Sequence, residues 1–335
     1  MAGLRDGFAA LEKYVTENPV SPWTPSLRAN LAEYYYDHAR PTPALQHWEA
    51  VWDACRSLED ANGKYVADFA LAHWSRALAT HGQVAALELL LSEAEGRTLD
   101  GGLLQQIFDG ARRRLAVLRK TPEAAYRCGT YSLGQLARVL GVPPDRVTAL
   151  MKTPAPSTGF SLGVLAELSA ALGIPLVPVL RPENDGQVVV PSIIRWQLNH
   201  YAAILSQKDG YFEVKDPTCS RVQWLTAETI NSEASGYFLV LAEQSPAEWR
   251  RLTVAEANDI FGRCAAEAFD DPEDEDCPKD EEADQEETDG NAPITQQDPN
   301  MSDGCQECPP GAASDGEPCD DGSSDCPTCT DGKCM

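Results

Sequence analysis

Residues 195–218 read RWQLNHYAAILSQKDGYFEVKDPT. Two runs rich in aliphatic and aromatic residues flank Asp209-Gly210, the signature of an antiparallel hairpin. A three-residue turn, Lys208-Asp209-Gly210 with Gly210 left-handed, sets Gln207 opposite Tyr211 and His200 opposite Thr218. Asp216 then falls on the same face as His200, their backbones about 7–8 Å apart and within side-chain reach. A two-residue turn would reverse the parity and send Asp216 to the other face. The register of this hairpin therefore decides whether a carboxylate can orient an imidazole.

Upstream lies Tyr126–Leu133, YRCGTYSL. Leu133, Leu136, Ala137 and Leu140 mark one apolar helix face, closed by Gly141. Cys128 stands where that helix starts, and unpaired N–H groups at a helix start favour a thiolate. Arg127 adds local positive charge. Pro143-Pro144 open a short helix to about Met151. Ser161, Leu162, Leu165, Leu168 and Leu172 mark another, closed by Gly173. Strands follow at Val188–Trp196, Tyr201–Ser206, Tyr211–Val214 and Tyr237–Ala242. Helices followed by an antiparallel sheet make the class α+β. Singly, Cys128 reads as a buried thiol, His200 as a strand-end histidine and Asp216-Pro217 as a turn. Together they are a nucleophile, a base and an orienting carboxylate.

The order CG-x-x-x-L, G-x-SL-x-x-L, LG, W-x-x-x-HYAAIL, DPT, GYFLVL resembles the peptidase C-thirty-nine family. These are papain-like cysteine peptidases that remove double-glycine leaders from bacteriocins. The likeness runs from about Thr121 to Ala242 and includes Trp196 ahead of His200. It implies a papain-like fold and a peptide substrate, with no cofactor for catalysis. It also implies Cys128 as nucleophile, His200 as general base and acid, and Asp216 as the orienting group. One feature departs from the pattern. The family usually carries an oxyanion-donating Gln six residues before the cysteine, and Pro122, followed by Glu123, stands there. Loss of one such donor typically lowers turnover by about 10²–10³. The leading expectation is a cysteine endopeptidase that processes a leader peptide or itself. The alternative is a weak or inactive peptidase-fold module that binds peptides.

Residues 3–118 read as helical. Leu31, Ala32, Tyr35, Ala44, Trp48 and Val51 keep the small/large spacing of a tetratricopeptide hairpin. Trp74, Ala77, Ala86, Leu90 and Ala94 repeat it about 42 residues on. The likeness to that repeat implies a surface on which a peptide could dock; a plain supporting bundle has the same spacing. The expected organisation is a helical domain over 1–118, a papain-like domain over 119–264 and an acidic Cys-rich tail over 265–335.

The chain has 335 residues, with 52 Asp+Glu against 27 Lys+Arg. The acid is concentrated: the last 66 residues carry −20 and the other 269 only −5. From Asp270 on, Ile294 is the one large aliphatic besides Met, so disorder is expected there. A near-neutral body with an acidic tail argues against nucleic acid as partner, since phosphate contact needs clustered Lys/Arg. SLGQLARVLGVPPDRVTALMK (132–152) resembles a helix-turn-helix DNA reader, but its second helix offers only Arg146 and Lys152. There is no apolar run long enough for a membrane span and no P-loop for ATP. The start, MAGLRDGFAALEKYV, does not read as a signal peptide. A cytoplasmic location is expected for the chain as given, and export if it is part of a larger one.

Cys55, Cys128, Cys219 and Cys264 are scattered in the body and read as buried thiols, one of them the nucleophile. Cys305-x-x-Cys308 and Cys326-x-x-Cys329 have zinc-ribbon spacing. Disulfides or free thiols would use the same cysteines. DCPTCTDGKCM (325–335) resembles the Cys-rich junction ahead of YD/RHS repeats in very large bacterial proteins. LSEAEGRTLDGG (91–102) resembles a double-glycine leader end, and marks Gly102 as a self-processing site; a helix closed by a glycine turn has the same spacing.

Overall fold

The computed structural model describes residues 2–183, 185–219, 221–264, 329–330 and 333–334. The first segment is a run of helices: α1 (Ala2–Glu17), α2 (Thr24–Asp37), α3 (Pro41–Cys55), α4 (Ala61–Thr80), α5 (Val84–Glu93) and α6 (Gly102–Lys120). Prolines open α2 and α3, where a missing N–H costs nothing. Asp60 caps α4 by accepting from the Gly63 N–H. Leu31, Ala32, Ala44, Trp48, Val51 and Ala77, which share that spacing, are buried, and all but Leu31 pack in one cluster. The second hairpin is uneven, a 20-residue α4 followed by a 10-residue α5.

The second segment is α+β. The helices α7 (Pro122–Ala125), α8 (Cys128–Val139) and α9 (Pro144–Met151) come first. Strand β1 (Phe160–Ser161) and helix α10 (Leu162–Ala171) follow. Then come β2 (Leu176–Leu180), β3 (Ser192–Trp196), β4 (Tyr201–Lys208), β5 (Tyr211–Lys215) and β6 (Gln223–Thr226). The segment ends with α11 (Ala227–Glu233), β7 (Ala234–Leu241), β8 (Arg250–Arg251), α12 (Val254–Asn258) and β9 (Phe261–Gly262). The main sheet is antiparallel, in the order β6-β5-β4-β3-β7-β2-β8. β1 pairs separately with β9.

Both faces of the sheet are covered. Ile193, Tyr201, Ala203, Leu205, Leu239 and Leu241 pack with Leu133, Leu136 and Leu165 of α8 and α10. Ile194, Ala202, Ile204, Val214, Phe238 and Val240 form a second cluster on the opposite face. That is why YAAIL is apolar at every position instead of alternating.

The two segments up to Cys264 lie within one compact unit. Gln83 Nε2 donates to the Leu198 carbonyl at 2.7 Å, and Thr42 donates to Glu233 from its N–H and its hydroxyl. In the second unit, strands β10 (Cys329–Thr330) and β11 (Lys333–Cys334) pair antiparallel. Of the four cysteines with zinc-ribbon spacing, Cys305, Cys308 and Cys326 lie outside the described residues. So does nearly all of the expected tail. Among the described residues no helix is long and apolar enough to cross a membrane.

The 201–215 hairpin corrects the expected turn. It is closed by two residues, Asp209 (φ 52°) and Gly210 (φ 86°), with Lys208 opposite Tyr211. Two successive positive φ values make the tight turn whose twist suits a hairpin. That parity would misplace Asp216. A β-bulge at Leu205 restores it: Ser206 faces Glu213 and Gln207 faces Phe212, but Ile204 faces Val214 and Ala203 faces Lys215. The extra residue flips the alternation once and brings Asp216 back to the face of His200.

Candidate active site

Cys128 is the first residue of α8. Gly129, next to it, is required by packing, because a Cβ there would lie 2.9 Å from Leu165 and 3.2 Å from Phe160. The start of α8 is thereby pressed against β1 and α10, and Cys128 is completely buried. His200 precedes β4 and is 1% exposed. Its neighbour Asn199 takes a positive φ of 62°.

Asp216 follows β5 and collects four donors. His200 Nε2 lies 2.9 Å and Trp196 Nε1 2.8 Å from Oδ2. The Thr218 N–H and hydroxyl donate to Oδ1 at 2.9 and 2.6 Å. Burial alone would raise the Asp216 pKa; the charge and hydrogen bond of His200, with the two bonds from Thr218, outweigh it and hold it at about 2. His200 shifts the other way. Burial disfavours its cation, yet the Asp216 charge and hydrogen bond raise its pKa above the ordinary value. With Nε2 held by Asp216, Nδ1 is left buried and without a hydrogen-bond partner.

The Cys128 thiol is held at about pKa 7. Burial opposes ionisation. Hydrogen bonds from the Cys264 thiol, the Tyr201 N–H and the Cys264 N–H, together with the field of His200, overcome it. Cys264 is pushed well up by burial and by its bond to Cys128. Of the expected sources His200 contributes, while Arg127 is not among the causes. Arg127 instead spends its Nε on the Ala124 carbonyl.

His200 and Asp216 touch at one end of the sheet, and buried Cys128 lies near enough for its charge and that of His200 to act on each other. Reasoning from sequence did not foresee several of their neighbours. The sequence marks Trp196 as an aromatic ahead of His200, and the structure makes it a donor to Asp216. His81, at the end of α4, packs tilted against His200 with ring centres 5.1 Å apart and is held near pKa 3, by burial first and then by the charge of His200. It is therefore neutral and adds no second cation. Glu233 is raised to about 7 by burial, despite the two bonds from Thr42. A cavity of about 40 Å³, lined by Tyr36, His81, Trp196, His200, Asp216 and Glu233 among others, separates the two segments here. It is roughly large enough for one or two waters.

Three expectations need correction or a limit. Cys219, expected as a thiol, is disulfide-bonded, whereas Cys55, Cys128 and Cys264 are free. Gly102 is the first residue of α6, and a Cβ there would meet nothing within 4 Å. It would have to leave the helix to reach a thiol. The expected helix-turn-helix comprises α8 and α9, but α8 is spent on the core and Arg146 on the Ala171 carbonyl. Pro122 opens α7, so no side-chain amide stands at the place of the usual glutamine. The N–H of Cys128, in the first turn of α8, has no partner within its own helix.

No family model and no curated protein matches this chain. A solved structure, the crystal structure of a double glycine motif protease from an AMS/PCAT transporter in complex with the leader peptide, is similar over part of it. The match has 18% identity and a TM-score of 0.29, and covers 35% of this chain and 84% of that one. At that score the likeness adds nothing to what the site's own geometry says.

Proposed function

We propose that this chain is a cysteine peptidase in which Cys128 attacks a peptide carbonyl, His200 moves the proton and Asp216 orients His200. The observation that carries this reading is the Asp216–His200 bond at 2.9 Å through Nε2, which leaves Nδ1 free for a buried thiol held near pKa 7. An imidazolium held in one orientation beside a thiolate is the resting state that such chemistry needs. The N–H of Cys128 is the remaining oxyanion donor. The substrate class is a peptide or protein segment in extended form. A second reading, a peptidase-fold module that only binds peptides, is favoured by Pro122 in place of the glutamine.

Thiolate absorbance near 240 nm, taken as the difference between the wild type and Cys128→Ala, separates the two. The peptidase reading expects a titration midpoint near 7 that moves up in His200→Ala. A midpoint at about 8.5 or above, unmoved by His200→Ala, means that no thiolate–imidazolium pair exists and overturns it.

A further inference from the structure

His200 is almost wholly covered, and part of its cover comes from the helical segment. The α4–α5 loop supplies three successive contacts. The His81 ring packs tilted against the His200 ring, centres 5.1 Å apart. Gly82 comes so near the second segment that a Cβ on it would lie 3.0 Å from the Arg263 carbonyl oxygen and 3.1 Å from the Cys264 Cα. Gln83 Nε2 donates at 2.7 Å to the carbonyl of Leu198, two residues before His200. The α2–α3 connection adds to the cover. Tyr36, Ala39 and Pro41 wall the cavity beside His200. Thr42 donates to Glu233 Oε2 from its N–H at 3.3 Å and its hydroxyl at 2.6 Å. A general base must come within about 2.6–3.2 Å of the proton it moves, directly or through one water. A peptide cannot come that close to His200 while these groups are in place.

The cover is thinly held. Each segment has its own core, with two apolar clusters in the helices and two around the main sheet. Among the described residues, Leu118 at the end of α6 belongs to the second pair, and Val84 and Ala39 are the other helical residues that pack against it. What lies between is polar and poorly partnered. His81 Nδ1, Arg40 Nε and Glu233 Oε1 are buried without a hydrogen-bond partner. Closure takes water from these atoms and returns no bond, so opening restores their hydration. Both connections also turn through a left-handed residue, Ala39 (φ 54°) and Gly82 (φ 61°). For alanine that conformation is strained and persists only where its surroundings hold it. Small polar interfaces between parts of one chain are where relative motion is expected.

We propose that the helical segment is a gate on the candidate active site: it is closed here, and a peptide enters when the α4–α5 loop and the start of α3 lift from His200 and Glu233. The proposal rests on the peptidase reading and adds the regulation of that site. The chain joins the two segments at Thr121-Pro122, between α6 and α7. Leu118, just before that junction, stays in the second segment's core and marks where the movement begins. Opening withdraws His81, Gln83 and Thr42. It leaves in place the bonds of Asp216 to His200, Trp196 and Thr218, all made within the second segment. The opened site therefore keeps its base and its orienting carboxylate, as gating by a lid requires.

The test is histidine footprinting of the full chain with diethylpyrocarbonate at about pH 8, where an ordinary imidazole is neutral. Mass spectrometry reads each histidine in the wild type, in Gln83→Ala, and in Gln83→Ala combined with Thr42→Val. The exposed His38 reports the reagent, and His47, buried in the helical segment, reports unfolding. The expected result is slow modification of His200 in the wild type and a rise of about 2–10-fold in Gln83→Ala, as one hydrogen bond of the closed state is lost. The double variant should rise further, with His47 unchanged in both. A His200 that reacts in the wild type as fast as His38, or that responds to neither variant, overturns the gate. So does a rise matched at His47, which means unfolding. The readout needs no activity, so failure of the peptidase reading shows separately, as an ordinary Cys128 titration, and leaves the gate standing over a peptide-binding site.

Discussion

Replacing Asp216 by Asn tests the hub of the site without any assumption about substrate. The carboxylate titrates near 2 in the folded chain against an ordinary 3.8. That difference makes the ionised form worth about 2–3 kcal/mol to folding at neutral pH. Asn removes this and adds a geometric fault. Its one oxygen can serve His200 and Trp196, or Thr218, but not both sides. Placing the oxygen toward His200 and Trp196 lets the Thr218 hydroxyl turn and accept, yet strands the Thr218 N–H. A stranded buried donor costs about 1–3 kcal/mol. The expected loss at pH 7 is therefore about 3–6 kcal/mol, a large share of the roughly 5–15 kcal/mol of a typical domain. Because the folded pKa is depressed, the charge contribution is complete above the unfolded value and disappears as pH falls through the folded one. At pH 3 about half of it should remain. Urea denaturation of wild type and Asp216→Asn at pH 7, 4 and 3 should show the gap narrowing toward acid. Histidine NMR should show the His200 pKa lowered in the variant. A loss under about 1 kcal/mol, or one that does not change with pH, would refute the placement of a buried ion pair at this point.

Glu233→Gln should stabilise the chain at pH 8 and leave it nearly unchanged at pH 5. Burial raises this carboxyl to about 7, so the wild type loses stability as pH rises from its unfolded value near 4.3 through 7, and Gln has no charge to bury. Equal stability at pH 8 would mean that Glu233 is solvated. Deleting Leu205 removes the bulge and should turn Asp216 to the opposite face. The expected readout is an upward shift of the Cys128 titration and loss of the raised His200 pKa by NMR, at a melting temperature that still shows a folded chain. Leu205→Ala, which keeps the bulge and loses only packing, should leave both titrations in place.

What could be read from the sequence was what depends on neighbours within a few residues. Ser161 before an i, i+3, i+4 leucine pattern located α10 and its cap, and the Ser161 hydroxyl does accept from the Val164 N–H. Pro143-Pro144 located the start of α9. β2 escaped notice because Pro178 interrupts LVPVL, and proline is compatible with pairing only where its missing N–H is not needed. β6 has four residues and β9 has two, too few for a period. The Cys264–Cys128 interaction, the packing of His81 on His200 and the bond from Gln83 to Leu198 join residues over a hundred positions apart. No local pattern encodes them, although a glycine at 82 followed by an amide side chain is a loop that can approach another backbone.

Two different turns in the hairpin lead to the same pairing of His200 with Asp216. A three-residue turn and a two-residue turn with one bulge both set Asp216 an even number of positions from the residue opposite His200, so the pairing of face with face is the same. The physical difference lies in the twist. Asp209 and Gly210 at positive φ give the tight turn that matches strand twist. The bulge at Leu205 then adds its own bend between the exposed tip of the hairpin and its functional end. Ser206, just past the bulge, bonds its hydroxyl to Glu213 at 2.6 Å and pins the register on the tip side. On the other side Ala203, Ile204 and Val214 are buried in the two clusters that cover the sheet, and a slip there would move apolar groups off both. The register at His200 and Asp216 is thus fixed by burial on both faces, and the turn is free to take its own preferred form because the bulge absorbs the difference.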